Sequence, residues 1–181
     1  MSKALIIVDI QNDYFENGAM ELVGSFEASE NAREILLKFR NENLPIVHIQ
    51  HLSLAPGSTF FLPNTKGQEI YENVKPQDGE KLIEKHYPNS FRDTDLLDYL
   101  KSQNISELVI VGMMTQMCID ATTRAAKDFE FECTVIGDAC ATRDLEVNGK
   151  TVKAEDVQTA FLAGLSSFYA VIKSTANYLS E

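Results

Sequence analysis

Glu107-Leu-Val-Ile-Val-Gly-Met-Met-Thr-Gln-Met-Cys118-Ile-Asp-Ala-Thr-Thr-Arg124 is the stretch that decides the fold. Its β-branched apolar run breaks at Gly112 and then resumes as a helical pattern, which predicts a buried strand entering a helix. Cys118 stands where that helix is expected to begin. Open α/β folds bind ligands at the carboxyl edge of the sheet, and a helix N-terminus favours a thiolate over a thiol. The stretch therefore predicts a candidate nucleophile as well as a fold.

Outward from this stretch, predicted strands alternate with predicted helices. Ala4–Val8 is a continuous apolar run that ends at Asp9, residues 44–50 form the next predicted strand, and Lys81–Lys85 is short and strand-like. The other predicted elements are helices at 28–39, 96–100, 157–168 and 174–179, and strands at 108–111, 131–136 and 170–172. The alternation predicts one domain over residues 1–181, a three-layer α/β/α fold with a mostly parallel, Rossmann-like sheet flanked by helices.

Composition excludes several classes of partner. Sixteen Lys and Arg against 27 Asp and Glu give a net charge of −11 without a basic cluster, so we expect no binding to nucleic acid or to anionic membrane. The early apolar run is far shorter than the roughly 20 residues of a membrane span and lacks the features of a signal peptide. We expect a soluble, cytoplasmic protein. The three cysteines are too few and too irregularly spaced for a disulfide framework.

Leu52–Asp78 loses the apolar period and is interrupted by prolines and glycines. A loop of this length in a compact domain is usually functional, often as a lid or a pocket wall. Its aromatic residues Phe60, Phe61 and Tyr71 could line an apolar pocket or could simply pack the loop against the core. The sequence leaves both alternatives open.

Three polar residues end an apolar strand or begin the turn after one: Asp9, Lys85 and Cys118. A cysteine attacks as a thiolate, so it needs a base to take its proton and a positive charge to stabilise the sulfur. Asp9 can supply the base and Lys85 the cation. Taken singly, such an aspartate is often a cap, such a lysine is usually solvated, and a buried cysteine is usually a small apolar residue.

The sequence resembles the isochorismatase-like cysteine hydrolases from about Leu5 to Lys173. That family includes nicotinamidase, N-carbamoylsarcosine amidohydrolase, ureidoacrylate amidohydrolase and streptothricin hydrolase. Four segments match the family's motifs in order and spacing: Val8-Asp-Ile-Gln-Asn-Asp-Tyr-Phe15, Glu84-Lys-His-Tyr-Pro-Asn-Ser-Phe91, Val111-Gly-Met-Met-Thr-Gln-Met-Cys-Ile119 and Asp138-Ala-Cys-Ala141.

The resemblance implies a role for each of the three polar residues. Asp9 would be the general base, Lys85 would support the thiolate and the transition state, and Cys118 would attack an amide or ureido carbonyl to form a thioester. It also implies a cis peptide bond between Met113 and Met114, which would direct the Met114 amide N–H beside that of Cys118 as an oxyanion hole. The alternative is a trans turn in which Gly112 supplies flexibility.

The sequence departs from nicotinamidases at their metal site, which an aspartate and two histidines form beside the catalytic residues. Alignment through Gln50 places His51 at the aspartate position and Ser53 at the first histidine position. His48 and His51, three residues apart on a strand, are expected to face opposite sides. We therefore predict no metal and no other cofactor.

Candidates for the wall of the substrate pocket lie beside the matched motifs: Gln11, Phe15, Tyr87, Ser90 and Phe91. The two phenylalanines are equally plausible as core residues. Cys133 lies in the middle of a predicted strand and Cys140 at its end, and packing roles are expected for both. By resemblance the protein would form a homodimer or homotetramer and would act on a small-molecule substrate, which the sequence does not identify.

Two other functions stay open. An isochorismatase-type enol-ether hydrolase would share the fold, but true isochorismatases lack the cysteine at the position of Cys118. A non-catalytic binding or redox-sensing protein could keep the scaffold and an activated thiol. The presence of Asp9, Lys85 and Cys118 together favours cleavage of a C–N bond.

Overall fold

The computed structural model describes residues 2–181, which form a parallel sheet between two layers of helices. The strands are β1 (Ser2–Val8), β2 (Ile46–His51), β3 (Lys81–Lys85), β4 (Ile105–Met113), β5 (Glu132–Ala141), β6 (Leu145–Val147), β7 (Lys150–Val152) and β8 (Val171–Lys173). Six of them make the main sheet in the order β3-β2-β1-β4-β5-β8, with every pairing parallel. The predicted three-layer α/β/α fold is confirmed.

The helices divide between the two faces of the sheet. They are α1 (Ser25–Asn41), α2 (Leu96–Ser102), α3 (Asp120–Asp128), α4 (Ala154–Ser166) and α5 (Thr175–Leu179). Buried residues of α1 and α5 form one apolar cluster, and buried residues of α2, α3 and α4 belong to a second. The sheet therefore has a separate core on each side.

Strand β1 lies at the centre of this arrangement because its residues are apolar on both faces. Leu5 and Ile7 pack into the α1 side, whereas Ala4, Ile6 and Val8 pack into the opposite side. Such a continuous apolar run is typical of a parallel strand covered on both faces. Its pairing with β2 and β4 brings the carboxyl ends of three strands to one edge.

Two local features differ from the sequence-based expectations. The helix expected at Cys118 begins at Asp120 and is preceded by a π-helical turn over Thr115–Ile119. Strands β6 and β7 form an antiparallel hairpin that the sequence analysis did not predict. Its turn carries Asn148 and Gly149 with positive φ angles of 51° and 71°, the residue types that tight hairpin turns favour.

The 52–78 segment contains two short 3₁₀ turns, Lys66–Gln68 and Glu72–Val74, and an isolated bridge between Ile70 and Gln11. Phe61 is fully buried and packs against Tyr14, with ring centroids 4.6 Å apart. Tyr71 stacks on Phe15 at 3.4 Å. The aromatic residues therefore pack this loop onto the core. Among residues 2–181, no helix is both long enough and apolar enough to cross a membrane.

Candidate active site

Four neighbouring strands bring Asp9, His51, Lys85 and Cys118 to the carboxyl edge of the sheet. Lys85 ends β3 and His51 ends β2, and the two are cross-strand partners in the parallel register. Asp9 directly follows β1, and Cys118 lies in the turn that follows β4. Adjacent strands lie about 4.8 Å apart, so β3 and β4 are separated by three such spacings. The long Lys85 side chain and the turn that carries Cys118 close that gap, which leaves Nζ and Sγ 3.3 Å apart.

The Lys85 ammonium lies at the centre of the group. Its Nζ atom is 2.7 Å from Asp9 Oδ2, 3.0 Å from His51 Nδ1, 3.0 Å from the Tyr87 carbonyl oxygen and 3.3 Å from Cys118 Sγ. Asp9 and Lys85 are buried, and Cys118 is 5% exposed. The structure therefore brings together the three residues that the sequence analysis singled out, and it adds His51.

The electrostatics of the site favour a resting thiol. Burial raises the pKa of Cys118, the Asp9 carboxylate raises it further, and Lys85 only partly opposes them. Burial lowers the pKa of Lys85, but Asp9 and Cys118 reverse that effect, so the net direction is upward and the side chain stays protonated. Cys118 therefore needs a base at the moment of reaction.

Two unusual backbone conformations let β1 and β4 deliver these residues. Asp9 has a φ of 51°, a left-handed conformation that aspartate adopts more readily than most residues. Gly112 has a φ of 131°, and a Cβ atom there would lie 2.0 Å from the Val8 carbonyl oxygen. Only glycine allows the two strands to approach this closely. Gly112 thus fixes the spacing between the base and the nucleophile.

The turn that carries Cys118 is anchored at both ends. The peptide bond between Met113 and Met114 is cis, at the position that the resemblance implies. The Met114 carbonyl accepts hydrogen bonds from the amides of Met117 and Ile119 at 3.1 and 3.2 Å. Thr115 Oγ1 donates to the side-chain oxygen of Gln158 on α4 at 2.6 Å. These contacts hold the nucleophile against the sheet edge.

Gln11, a predicted pocket residue, holds the backbone of His51. Its Oε1 accepts from the His51 amide at 2.7 Å, and its Nε2 donates to the His51 carbonyl at 2.9 Å and to the Gln68 carbonyl at 2.7 Å. The side chain is fully buried. Gln11 therefore ties β1 to β2 and to the 52–78 loop, with its polar atoms engaged by backbone groups.

The other predicted pocket residues lie at several distinct places. Phe91 packs against Phe131 and Phe129 in the core on the α3 side, and Phe15 belongs to the opposite core. Ser90 is buried and bonds Thr122 Oγ1 on α3 at 2.8 Å. Of the five candidates, Tyr87 has the most direct contact with the catalytic group, since its carbonyl accepts from Lys85.

Three residues near the site were not singled out by the sequence analysis for these roles. His51 was considered only as a broken metal position. Tyr14 is buried, and its pKa is raised well above the ordinary value by burial and then by the charges of Cys118 and Asp9. The Asp13 carboxylate accepts a hydrogen bond from the Phe61 amide at 2.6 Å and so holds the 52–78 loop in place. Tyr14 and Asp13 both lie inside the first segment that matches the family's motifs. That match was the feature of the sequence from which they could have been identified.

The site also contains a set of potential metal ligands. One ligand atom from each of Asp9, His51 and Cys118 lies within 4.8 Å of the others. Lys85 Nζ lies 2.7 to 3.3 Å from Asp9 Oδ2, His51 Nδ1 and Cys118 Sγ. The positive charge at this position is thus the ammonium. His48 faces the other way and bonds Glu80 at 2.8 Å, as its spacing from His51 predicted.

Comparisons with known proteins identify the family and the fold. The family model described as the isochorismatase domain matches residues 3–176. The uncharacterized isochorismatase family protein YddQ of Bacillus subtilis is 47% identical over 179 residues, which cover 99% of each chain. Ureidoacrylate amidohydrolase RutB of Caulobacter segnis is 24% identical, covering 97% of this chain and 83% of its own. A crystal structure described as an isochorismatase hydrolase from Oleispira antarctica superposes with a TM-score of 0.95 at 46% identity, covering 99% and 97%.

Proposed function

The chain belongs to the isochorismatase family of hydrolases, and from that membership we propose that it is a metal-free cysteine amidohydrolase. Its substrate would be a small molecule with an amide or ureido group. The observation that carries the proposal is the buried contact of Cys118 Sγ with Lys85 Nζ at 3.3 Å, with Asp9 paired to the same ammonium at 2.7 Å. A nucleophile, a base and a cation thus share one site from which water is largely excluded.

In the first half-reaction, Asp9 takes the proton of the Cys118 thiol and the sulfur attacks the carbonyl carbon. The Lys85 ammonium stabilises the thiolate at the moment it forms. The tetrahedral intermediate collapses when protonated Asp9 gives its proton to the leaving nitrogen. The C–N bond breaks, ammonia or an amine departs, and the acyl group remains on Cys118 as a thioester.

In the second half-reaction, Asp9 deprotonates a water molecule that attacks the thioester carbonyl. The C–S bond then breaks, and the proton on Asp9 returns to the sulfur. The product is a carboxylic or carbamic acid. In this proposal the amide N–H groups of Met114 and Cys118 stabilise the oxyanion in both halves, a contribution of about 2.7 to 4 kcal/mol for one donor in other hydrolases.

The raised pKa of Cys118 supports the assignment of Asp9 as the base. A thiol that stays protonated near neutral pH cannot attack without losing its proton, and Asp9 lies within 4.8 Å of the sulfur. No other carboxylate takes part in the cluster of ligand-type side chains found among residues 2–181.

The test is a screen for ammonia release over nicotinamide, ureido, carbamoyl and lactam compounds, followed by the Cys118→Ala variant on the best substrate. We expect turnover to fall to background, by about a thousandfold or more, because removing a nucleophile abolishes the covalent route. Cys133→Ala, at a buried cysteine outside the site, serves as the matched control and should keep its activity. Full turnover in Cys118→Ala, or hydrolysis of isochorismate that does not need this cysteine, would contradict the proposal.

A further inference from the structure

Lys85 has more hydrogen-bond acceptors around it than hydrogens to give. An ammonium carries three hydrogens, and three of the four groups within 3.3 Å of Nζ meet hydrogen-bond geometry: His51 Nδ1, the Tyr87 carbonyl and Cys118 Sγ. The fourth, Asp9 Oδ2, lies 2.7 Å away as an ion-pair partner without a hydrogen bond. Two of the four, Asp9 Oδ2 and Cys118 Sγ, belong to the reacting groups. The other two, His51 Nδ1 and the Tyr87 carbonyl, do not exchange protons with the substrate in the proposed reaction.

We infer that His51 is a positioning residue for Lys85. By accepting one ammonium hydrogen at Nδ1, it fixes the rotation of the ammonium while the Tyr87 carbonyl holds a second hydrogen. The third hydrogen is then directed at Cys118 Sγ, while the Asp9 carboxylate pairs with the ammonium by charge at 2.7 Å. This inference rests on the proposed function, since it concerns the cation of the same site.

The charge state of His51 suits this role. Burial lowers its pKa to about 4; among the charged groups that face it, Asp9 from the β1 end raises the pKa, while Lys85 and His86 from β3 and its end lower it. The imidazole is therefore neutral near pH 7. An imidazole that accepts at Nδ1 carries its hydrogen on Nε2, so the contact with Lys85 also selects the tautomer.

His51 is itself held from several sides. Gln11 bonds both its amide and its carbonyl, at 2.7 and 2.9 Å. The parallel register places it opposite Lys85 on the same face of the sheet. The Phe61 ring lies 5.9 Å from the imidazole ring. An acceptor that is fixed in this way can orient a long, flexible lysine side chain, which otherwise has several free rotatable bonds.

This arrangement has a consequence for the chemical step. When Asp9 takes the thiol proton, negative charge moves from the carboxylate to the sulfur. The ammonium hydrogen directed at the sulfur is already in place when that charge arrives, because the other two hydrogens stay on neutral acceptors. Preorganised donors of this kind lower the barrier since they need not rearrange during the reaction.

Two substitutions separate hydrogen-bond acceptance from packing. In His51→Asn the amide oxygen Oδ1 stands at the same bond distance from Cβ as Nδ1, so the acceptor is kept. In His51→Leu the bulk remains but the acceptor is lost. If the leucine variant fails to fold, His51→Gln is used in its place. The side-chain oxygen of glutamine lies one bond further from Cβ than Nδ1 does, so it does not stand where Nδ1 accepts from Lys85. His86→Asn, at an exposed histidine next to Lys85 in sequence, is the control.

The first measurement is the rate at which iodoacetamide alkylates Cys118 as a function of pH, followed by mass spectrometry. Loss of a hydrogen bond to a charged group typically costs about 1.5 to 3 kcal/mol, so we expect alkylation at pH 7 to slow by roughly tenfold to a hundredfold in His51→Leu, with the midpoint displaced to higher pH. His51→Asn and His86→Asn should stay within about threefold of the unchanged protein.

The second measurement is kcat and KM on an amide substrate from the ammonia screen. We expect kcat to fall in His51→Leu with KM little changed, as for an interaction that matters in the transition state. Unchanged alkylation in His51→Leu, or equal losses in the asparagine and leucine variants, would overturn the inference. Iodoacetamide needs no turnover: if the alkylation results hold while every substrate fails, the positioning role stands and the amidohydrolase proposal falls.

Discussion

Asp13 provides the sharpest test of how the 52–78 loop is held against the core. Its carboxylate is buried and accepts the Phe61 amide at 2.6 Å and the Ala19 amide at 3.1 Å. In Asp13→Asn one of the two oxygens becomes an NH₂ group, which cannot accept from a backbone N–H. The buried donor is then left without a partner and repels the new amide hydrogens.

The size of the effect follows from these contacts. A hydrogen bond to a charged group contributes about 1.5 to 3 kcal/mol, and a chain of this length loses about 2 to 4 °C of Tm per kcal/mol. We therefore expect Asp13→Asn to lower Tm by roughly 3 to 12 °C. Calorimetry at pH 7 measures the shift, and hydrogen exchange at the Phe61 amide shows whether the loop is the part released.

Two further variants serve as comparisons for Asp13→Asn. Glu72→Gln, at an exposed carboxylate of the same loop, should change stability by no more than about 0.5 kcal/mol. Gly67→Ala displaces the same carboxylate from the side of the loop, because its Cβ atom would lie 2.1 Å from Asp13 Oδ1, the oxygen that accepts from the Ala19 amide. If Asp13→Asn melts no lower than Glu72→Gln, the loop is not held by this carboxylate and the reasoning is refuted.

Two further predictions concern the charges of the protein. EDTA should leave amidase activity unchanged, because the Lys85 ammonium already lies 2.7 to 3.3 Å from an atom of each of the three potential metal ligands. Activity that is lost to the chelator and restored by Zn²⁺ would contradict this expectation. For Glu80, burial raises the pKa, but hydrogen bonds from Arg40, the Gln77 amide and His48 lower it from 4.5 to about 2. Since the folded-state value is the lower one, its contribution to stability is complete above pH 4.5 and is lost as pH falls toward 2. Between pH 4.5 and 2, the free energy of unfolding should therefore fall less steeply with pH in Glu80→Gln than in the unchanged protein. Acid unfolding followed by circular dichroism measures this difference.

The sequence predicted those parts of the fold that local pattern determines. Strands β1 and β4 are buried on both faces, so their apolar runs are continuous and unmistakable. Asp9, Lys85 and Cys118 could be proposed together because strand ends of a parallel sheet share one edge. The structure brings them together, and the family comparison supports the resemblance. Their catalytic roles, and the predicted homodimer or homotetramer, stay predictions.

Elsewhere, the sequence did not predict in which direction a side chain points. Phe91 and Ser90 lie beside a matched motif, yet they turn into the core and toward α3, because packing and not sequence distance decides where a loop residue points. The role of His51 depended on the register between β2 and β3, which no local signal specifies. The charge state of Cys118 depended on burial, which outweighed the expected effect of a helix start.

The position of Lys85 also depends on an edge strand with few buried residues. Within β3, only Ile83 and Lys85 are buried, so the isoleucine side chain carries most of the apolar preference for the correct alignment with β2. A slip of one residue would set Glu84 or His86 opposite His51 and would turn Lys85 to the other face. A misaligned molecule could keep nearly all of its core and yet present an acid or an imidazole to the thiol. Ile83 therefore protects the chemistry of the site against errors in strand assembly, although it touches none of the reacting atoms.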